Sequence, residues 1–105
     1  MAKGGDTIKR GQCSAGIETK LKVSPENGQI EVEYELEDAV PGSRWRVTIT
    51  KNGQTILRTT QRASAAGYLE VRQVTSNLNG NETIRATAKR VGAAGACTLS
   101  LSVPF

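Results

Sequence analysis

Two runs of this chain, Ile30–Glu37 and Arg44–Lys51, alternate apolar with charged or polar residues without a break. A period of two is that of a β-strand with one face buried and one face wet. In the second run the only tryptophan, Trp45, begins the inward set Trp45, Val47, Ile49, which leaves Arg44, Arg46, Thr48 and Thr50 facing out. Asn52-Gly53 follows at once, a dipeptide that tolerates the positive φ angles of a tight hairpin turn. As a two-residue turn it pairs Ile49 with Ile56, Thr48 with Leu57 and Val47 with Arg58. The strand beginning at Gln54 mixes Thr and Arg up to Arg62, the character of a sheet edge.

The same logic extends in both directions. Ile17, Thr19, Leu21 and Val23 share one face of a strand over 17–24, with Glu18, Lys20 and Lys22 on the other. Pro25-Glu26-Asn27-Gly28 then turns the chain. A two-residue loop at Asn27-Gly28 sets Lys22 against Glu33 and Lys20 against Glu35. A four-residue loop sets Lys22 against Glu31 and Lys20 against Glu33. Either register lays lysines along the row Glu31, Glu33, Glu35, Glu37, so these carboxylates read as a charge-paired sheet face rather than a metal site.

Downstream, Tyr68–Val74 directs Leu69 and Val71 inward, with a bulge before Val74. Glu82–Val91 buries Ile84, Ala86 and Ala88 and exposes Arg85, Thr87 and Lys89. Cys97–Val103 buries Cys97, Leu99, Leu101 and Val103. The joining stretches 63–67, 75–81 and 92–96 are built of small or turn-forming residues. The expectation is an all-β, seven-stranded antiparallel sandwich over residues 13–105, preceded by a flexible segment over 1–12. One core suffices for 105 residues, and with 4% aromatics it must be built from Val, Ile, Leu and Ala.

The two cysteines, Cys13 and Cys97, are too few for a structural zinc site, and the chain has no histidine. They do not form Cys-x-x-Cys either. A disulfide closing residues 13–97 into one loop is the favoured reading, contributing roughly 4.5 kcal/mol by loop-closure entropy, with two free thiols as the alternative. A disulfide implies an oxidising compartment, hence a secreted or cell-surface location. No apolar run approaches the ~18 residues of a membrane span. The start, Met1-Ala-Lys-Gly-Gly-Asp6, has no signal-peptide core, and Pro104-Phe105 suggests a domain cut from a longer protein.

Cys13, the strand Ile30-Glu-Val-Glu-Tyr34, Trp45-Arg-Val-Thr-Ile49 with Asn52-Gly53, Gly80 with the strand after it, and Cys97 together resemble a known group. They are similar to small exported immunoglobulin-like or fibronectin-III-like domains of Gram-positive, particularly actinobacterial, proteins. The resemblance implies an immunoglobulin-like sandwich and an extracellular setting, without an assigned activity. Ala86 stands where an antibody-type domain has an inter-sheet cysteine, and no tyrosine corner occurs at Ile84.

The residues read as non-catalytic. Without histidine there is no Ser-His-Asp or Cys-His arrangement and no general base poised near neutral pH. Gly92-Ala-Ala-Gly95 lacks the Lys-Ser/Thr of a phosphate loop, and no cofactor is expected. The sharper candidate is a basic sheet face. If the third and sixth of the seven strands share a sheet, Arg44, Arg46, Arg85 and Lys89 lie on one surface with threonines between them. Such a face suits an anionic cell-envelope polymer or an acidic protein, and its plain alternative is a solvated surface. Lacking aromatic residues, it does not suit specific nucleic-acid recognition. Two further expectations are a secreted protease inhibitor presenting loop 63–67 or 77–81, and a structural spacer in a larger surface protein.

Overall fold

In a computed structural model, residues 5–13, 16–77 and 80–104 are described, and they form eight strands in two antiparallel sheets. The strands are β1 (Thr7–Gln12), β2 (Glu18–Glu26), β3 (Gln29–Glu37), β4 (Arg44–Lys51), β5 (Gln54–Arg62), β6 (Leu69–Ser76), β7 (Glu82–Arg90) and β8 (Ala96–Val103). One sheet runs β1-β2-β3-β6 and the other β5-β4-β7-β8. Among the described residues no helix is long and apolar enough to cross a membrane.

Alternation builds the core as expected. Trp45, Val47 and Ile49 of β4 meet Ile84, Ala86 and Ala88 of β7 within one sheet. Leu21, Val23, Ile30, Val32, Tyr34 and Leu36 face them from the other, all fully buried. Trp45 is held at its polar end as well: its indole Nε1 donates to Ser43 Oγ at 2.8 Å, and Ser43 Oγ donates to the Val40 carbonyl at 2.6 Å. A buried indole N–H left unpaired would cost on the order of 1–3 kcal/mol, so this short relay is part of what seats the ring.

Both Asn-Gly turns have left-handed backbone at the two central residues, with φ of 46° and 81° at Asn27-Gly28 and 51° and 83° at Asn52-Gly53. The first is the two-residue loop, selecting the register Lys20↔Glu35 and Lys22↔Glu33. Gly67 is needed for a different reason. Its φ is 76°, and a Cβ there would lie 2.4 Å from the Ala39 carbonyl oxygen. The amide of Ala39 donates to the Gly67 carbonyl, so this close approach fastens loop 63–67 to the β3–β4 connection.

Leu101, expected inward with Leu99 and Val103, is only partly buried, and the strands depart from the sequence reading in three further places. The strands number eight, because Thr7–Gln12 forms β1 and pairs with β2 from Thr7↔Val23 to Gln12↔Glu18. The expected bulge before Val74 is absent: β6 pairs with β3 without interruption, so Val74 lies opposite Glu31 and is exposed. The third departure is an irregularity in the β4–β5 ladder between Ile49 and Thr50. Lys51 pairs with Gln54 and Thr50 with Thr55, as a two-residue turn requires, but Ile56 is then skipped. Ile49 therefore faces Leu57, and Thr48 faces Arg58. One extra residue reverses the side on which each later β5 side chain falls.

The disulfide is present between Cys13, just after β1, and Cys97 at the start of β8, with Cα atoms 5.2 Å apart. It joins the edge strand of one sheet to the edge strand of the other. Cys97 is buried within the apolar core.

Candidate anion-binding face

The outer surfaces of the two sheets treat charge in opposite ways. On β1-β2-β3-β6, the cations Lys20, Lys22 and Arg72 are matched to carboxylates. Lys20 Nζ is 2.9 Å from Glu35, and Lys22 Nζ lies 3.5 Å from Glu33 and 3.4 Å from Asp6. Arg72 on β6 hydrogen-bonds Glu33 and lies 3.8 Å from Glu31. The Tyr68 hydroxyl donates to Glu35 at 2.8 Å. Glu33 and Glu35 consequently lose most of their solvent, at 7% and 8% exposure. Glu31, Glu33 and Glu35 are thus held in cross-strand pairs, whereas Glu37, exposed at the end of the row, lies opposite Glu18. The lysine side of this pairing was legible from register, whereas Arg72 arrives from β6 and Tyr68 from just before it, and both needed the sheet order.

This pairing shifts two pKa values. Burial alone would push the Glu35 carboxyl up, but hydrogen bonds from Lys20 and Tyr68 and the charges of Lys20 and Arg10 hold it below its ordinary value of 4.5. The Tyr68 hydroxyl is driven upward, by burial first and by the Glu35 carboxylate second. A depressed carboxyl pKa stabilises the fold above the unfolded value, and that stability is lost as pH falls through the folded one. Urea midpoints measured from pH 7 down to pH 3 should therefore drop below pH ~4.5. The drop should be shallower in Glu35→Gln, and parallel profiles for the two proteins would exclude Glu35 as a contributor.

The outer surface of β5-β4-β7-β8 contains no carboxylate at the outward positions of its described strands. β4 presents Arg44, Arg46, Thr48 and Thr50, and β7 presents Thr83, Arg85, Thr87 and Lys89. The two strands are neighbours, with Arg46 opposite Lys89, Thr48 opposite Thr87 and Thr50 opposite Arg85. Of the four cations read from the sequence, Arg46 and Lys89 are brought side by side. Arg44 lies one alternate position beyond Arg46, toward the β3–β4 connection, and Arg85 lies two alternate positions beyond Lys89.

Sequence reasoning missed two residues of this face, Arg58 and Arg62. A regular hairpin would set Arg58 opposite inward Val47. The shift at Ile49/Thr50 instead sets Arg58 beside outward Thr48 and Arg62 beside outward Arg44. The polar run Arg58-Thr59-Thr60-Gln61-Arg62 carries no apolar alternation that could have signalled which parity holds. Arg46, Arg58 and Lys89 now line a shallow depression together with Thr48 and Thr87. No ion pair joins Arg44, Arg46, Arg58, Arg62, Arg85 or Lys89 to a carboxylate among the described residues.

The loops offered for protease contact are placed differently. Loop 63–67 closes on itself: the Ser64 amide donates to the Tyr68 carbonyl, and Ser64 Oγ accepts from the amides of Ala66 and Tyr68. Within loop 77–81, Leu78 and Asn79 lie outside the described residues. Among the described residues no group of three or more acidic or cysteine side chains is arranged to hold a metal ion. No protein-family model, curated protein or solved structure matches this chain.

Proposed function

We propose that this chain is a non-catalytic, exported binding or accessory module that uses the outer face of β5-β4-β7-β8 to engage an anionic cell-envelope polymer or an acidic protein. The observation that carries the reading is the contrast between the two faces. Lys20, Lys22 and Arg72 on one sheet are matched to carboxylates, whereas Arg44, Arg46, Arg58, Arg62, Arg85 and Lys89 on the other have no such partner within the described chain. Unneutralised like charges on one surface repel each other, and an external anion relieves that repulsion while gaining charge-assisted hydrogen bonds.

The immunoglobulin-like assignment is supported by the strand order, in which β4 and β7 are neighbours and β5 and β8 flank them. The covalent link Cys13–Cys97 supports an oxidising compartment. Both belong to this reading of the molecule as an exported module.

Reversing charge at Arg44→Glu with Arg46→Glu is expected to weaken capture of an anionic partner at least tenfold while leaving the melting temperature within a few degrees of wild type, because both side chains are exposed. Capture on an immobilised anionic polymer, with circular dichroism melts of both proteins, makes the comparison. Undiminished capture by the doubly reversed protein would remove the proposal.

A further inference from the structure

Resting on that reading, we infer that the partner is a flexible polymer whose charges are phosphodiesters carried in its own backbone, without nucleobases, and not an acidic protein surface. The outward side chains of β5-β4-β7-β8 are Arg, Lys, Thr, Ser and one Ala, Ala96 opposite Lys89. Protein–protein interfaces draw most of their energy from a few buried aromatic or large apolar anchors near the centre of the patch. No such anchor exists at the centre of this face, where Thr48 and Thr87 form the floor. An acidic protein would thus gain charge contacts at the rim and nothing in the middle.

The residue types present are those that contact phosphate oxygens: guanidinium and ammonium groups for charge, short hydroxyls as auxiliary donors. Arg46 and Lys89 border the floor along one end and Arg58 flanks it on the β5 side, with the hydroxyls of Thr48 and Thr87 next to them. Neighbouring strands lie ~4.8 Å apart, and alternate residues along a strand lie ~6.7 Å apart. Cations at Arg62, Arg44, Arg46 and Lys89 therefore step obliquely across three strands at separations that successive charges of an extended chain can follow. Polyglutamate carries its charges on mobile side arms, and ordering each arm costs side-chain entropy that a backbone phosphate does not pay. Single-stranded nucleic acid shares the phosphodiester chemistry, but its bases would find no aromatic ring to stack on here.

The intact, disulfide-bonded protein is titrated with a base-free poly(glycerol phosphate) oligomer, with oligo(dT) and with poly-L-glutamate, all of matched charge number. Poly(glycerol phosphate) should bind at least tenfold more tightly than poly-L-glutamate and no more weakly than oligo(dT). With about three phosphates engaged, log affinity should fall with log salt at a slope near −2, a loss of roughly fifteenfold from 50 to 200 mM. Arg46→Glu with Arg58→Glu should abolish the binding. If poly-L-glutamate binds as tightly, the phosphodiester inference fails while the basic-face reading stands. If oligo(dT) binds tenfold more tightly than the base-free polymer, bases are being recognised and the inference again fails alone. If no probe binds at 50 mM salt, or if charge reversal changes nothing, both fall together.

Discussion

Replacing both Cys13 and Cys97 with alanine is expected to lower the unfolding free energy by about 4.5 kcal/mol, a fall in melting temperature of roughly 20–30 °C. The bond spans a sequence separation of 84, so its loss releases nearly the whole chain from a closed loop in the unfolded state. A native-state term adds to this. β1 has almost no apolar burial of its own, since Ile8 is 48% exposed, and it is held by its ladder to β2 and by the link at Cys13. Denaturant unfolding of wild type with and without reductant, beside the double-alanine protein, measures the effect. Reduced wild type and the double-alanine protein should agree. A difference below about 1 kcal/mol between oxidised and reduced wild type would show that the unfolded chain is already compact enough to need no clamp.

Lys51→Met should destabilise the fold by about 3–5 kcal/mol, despite replacing a charged residue with an apolar one of similar length. Lys51 is 6% exposed, and its ammonium lies 3.7 Å from the Glu82 carboxylate, which is 2% exposed. The same ammonium donates to the Ser76 carbonyl at 2.7 Å, so it ties the end of β4 to the end of β6 in the opposite sheet. Neither Glu82 oxygen accepts a hydrogen bond from another described group, leaving Lys51 as its charge partner. Removing the lysine strands a carboxylate away from water, which is what makes the single substitution costly. Lys51→Met combined with Glu82→Met should recover most of the loss and return stability to within about 1 kcal/mol of wild type. Urea unfolding of the two single variants and the double variant closes the cycle. A double variant no more stable than Lys51→Met would mean the lysine contributes through Ser76 and not through Glu82.

This ion pair shows where the sequence reading stopped short. Parity alone places Lys51 on the inward face after Trp45, Val47 and Ile49, and Glu82 on the inward face before Ile84 and Ala86. A charged residue at the end of a strand pattern is naturally taken as the point where the strand meets solvent. Here two such ends lie close enough to neutralise each other. The hairpin at Asn27-Gly28, the burial of Trp45 and the Lys20–Glu35 and Lys22–Glu33 pairs were legible because alternation and turn chemistry agreed. β1 was not, since Thr7-Ile-Lys-Arg-Gly-Gln12 carries no apolar periodicity and owes its order to pairing. The β4–β5 shift was not either, because the Thr- and Arg-rich strand is indifferent to which of its faces looks out. On the candidate face, Arg44, Arg46, Arg85 and Lys89 followed from alternation and strand adjacency, whereas Arg58 and Arg62 depended on that one skipped residue.

The bond between Cys13 and Cys97 also determines how the molecule bears tension. Force applied to the chain on the outer sides of these two residues passes directly from one sulfur to the other. The hairpins between them and the cations of β4, β5 and β7 lie outside the line of load, as does the core except for Leu99 and Val103 of β8. Only β1, peeled from β2, and the part of β8 beyond Cys97, peeled from β7, can yield before a covalent bond must break. Under pull the sandwich therefore acts as a short inextensible link, and the surface formed by β4, β5 and β7 keeps its geometry while the chain to either side is stretched.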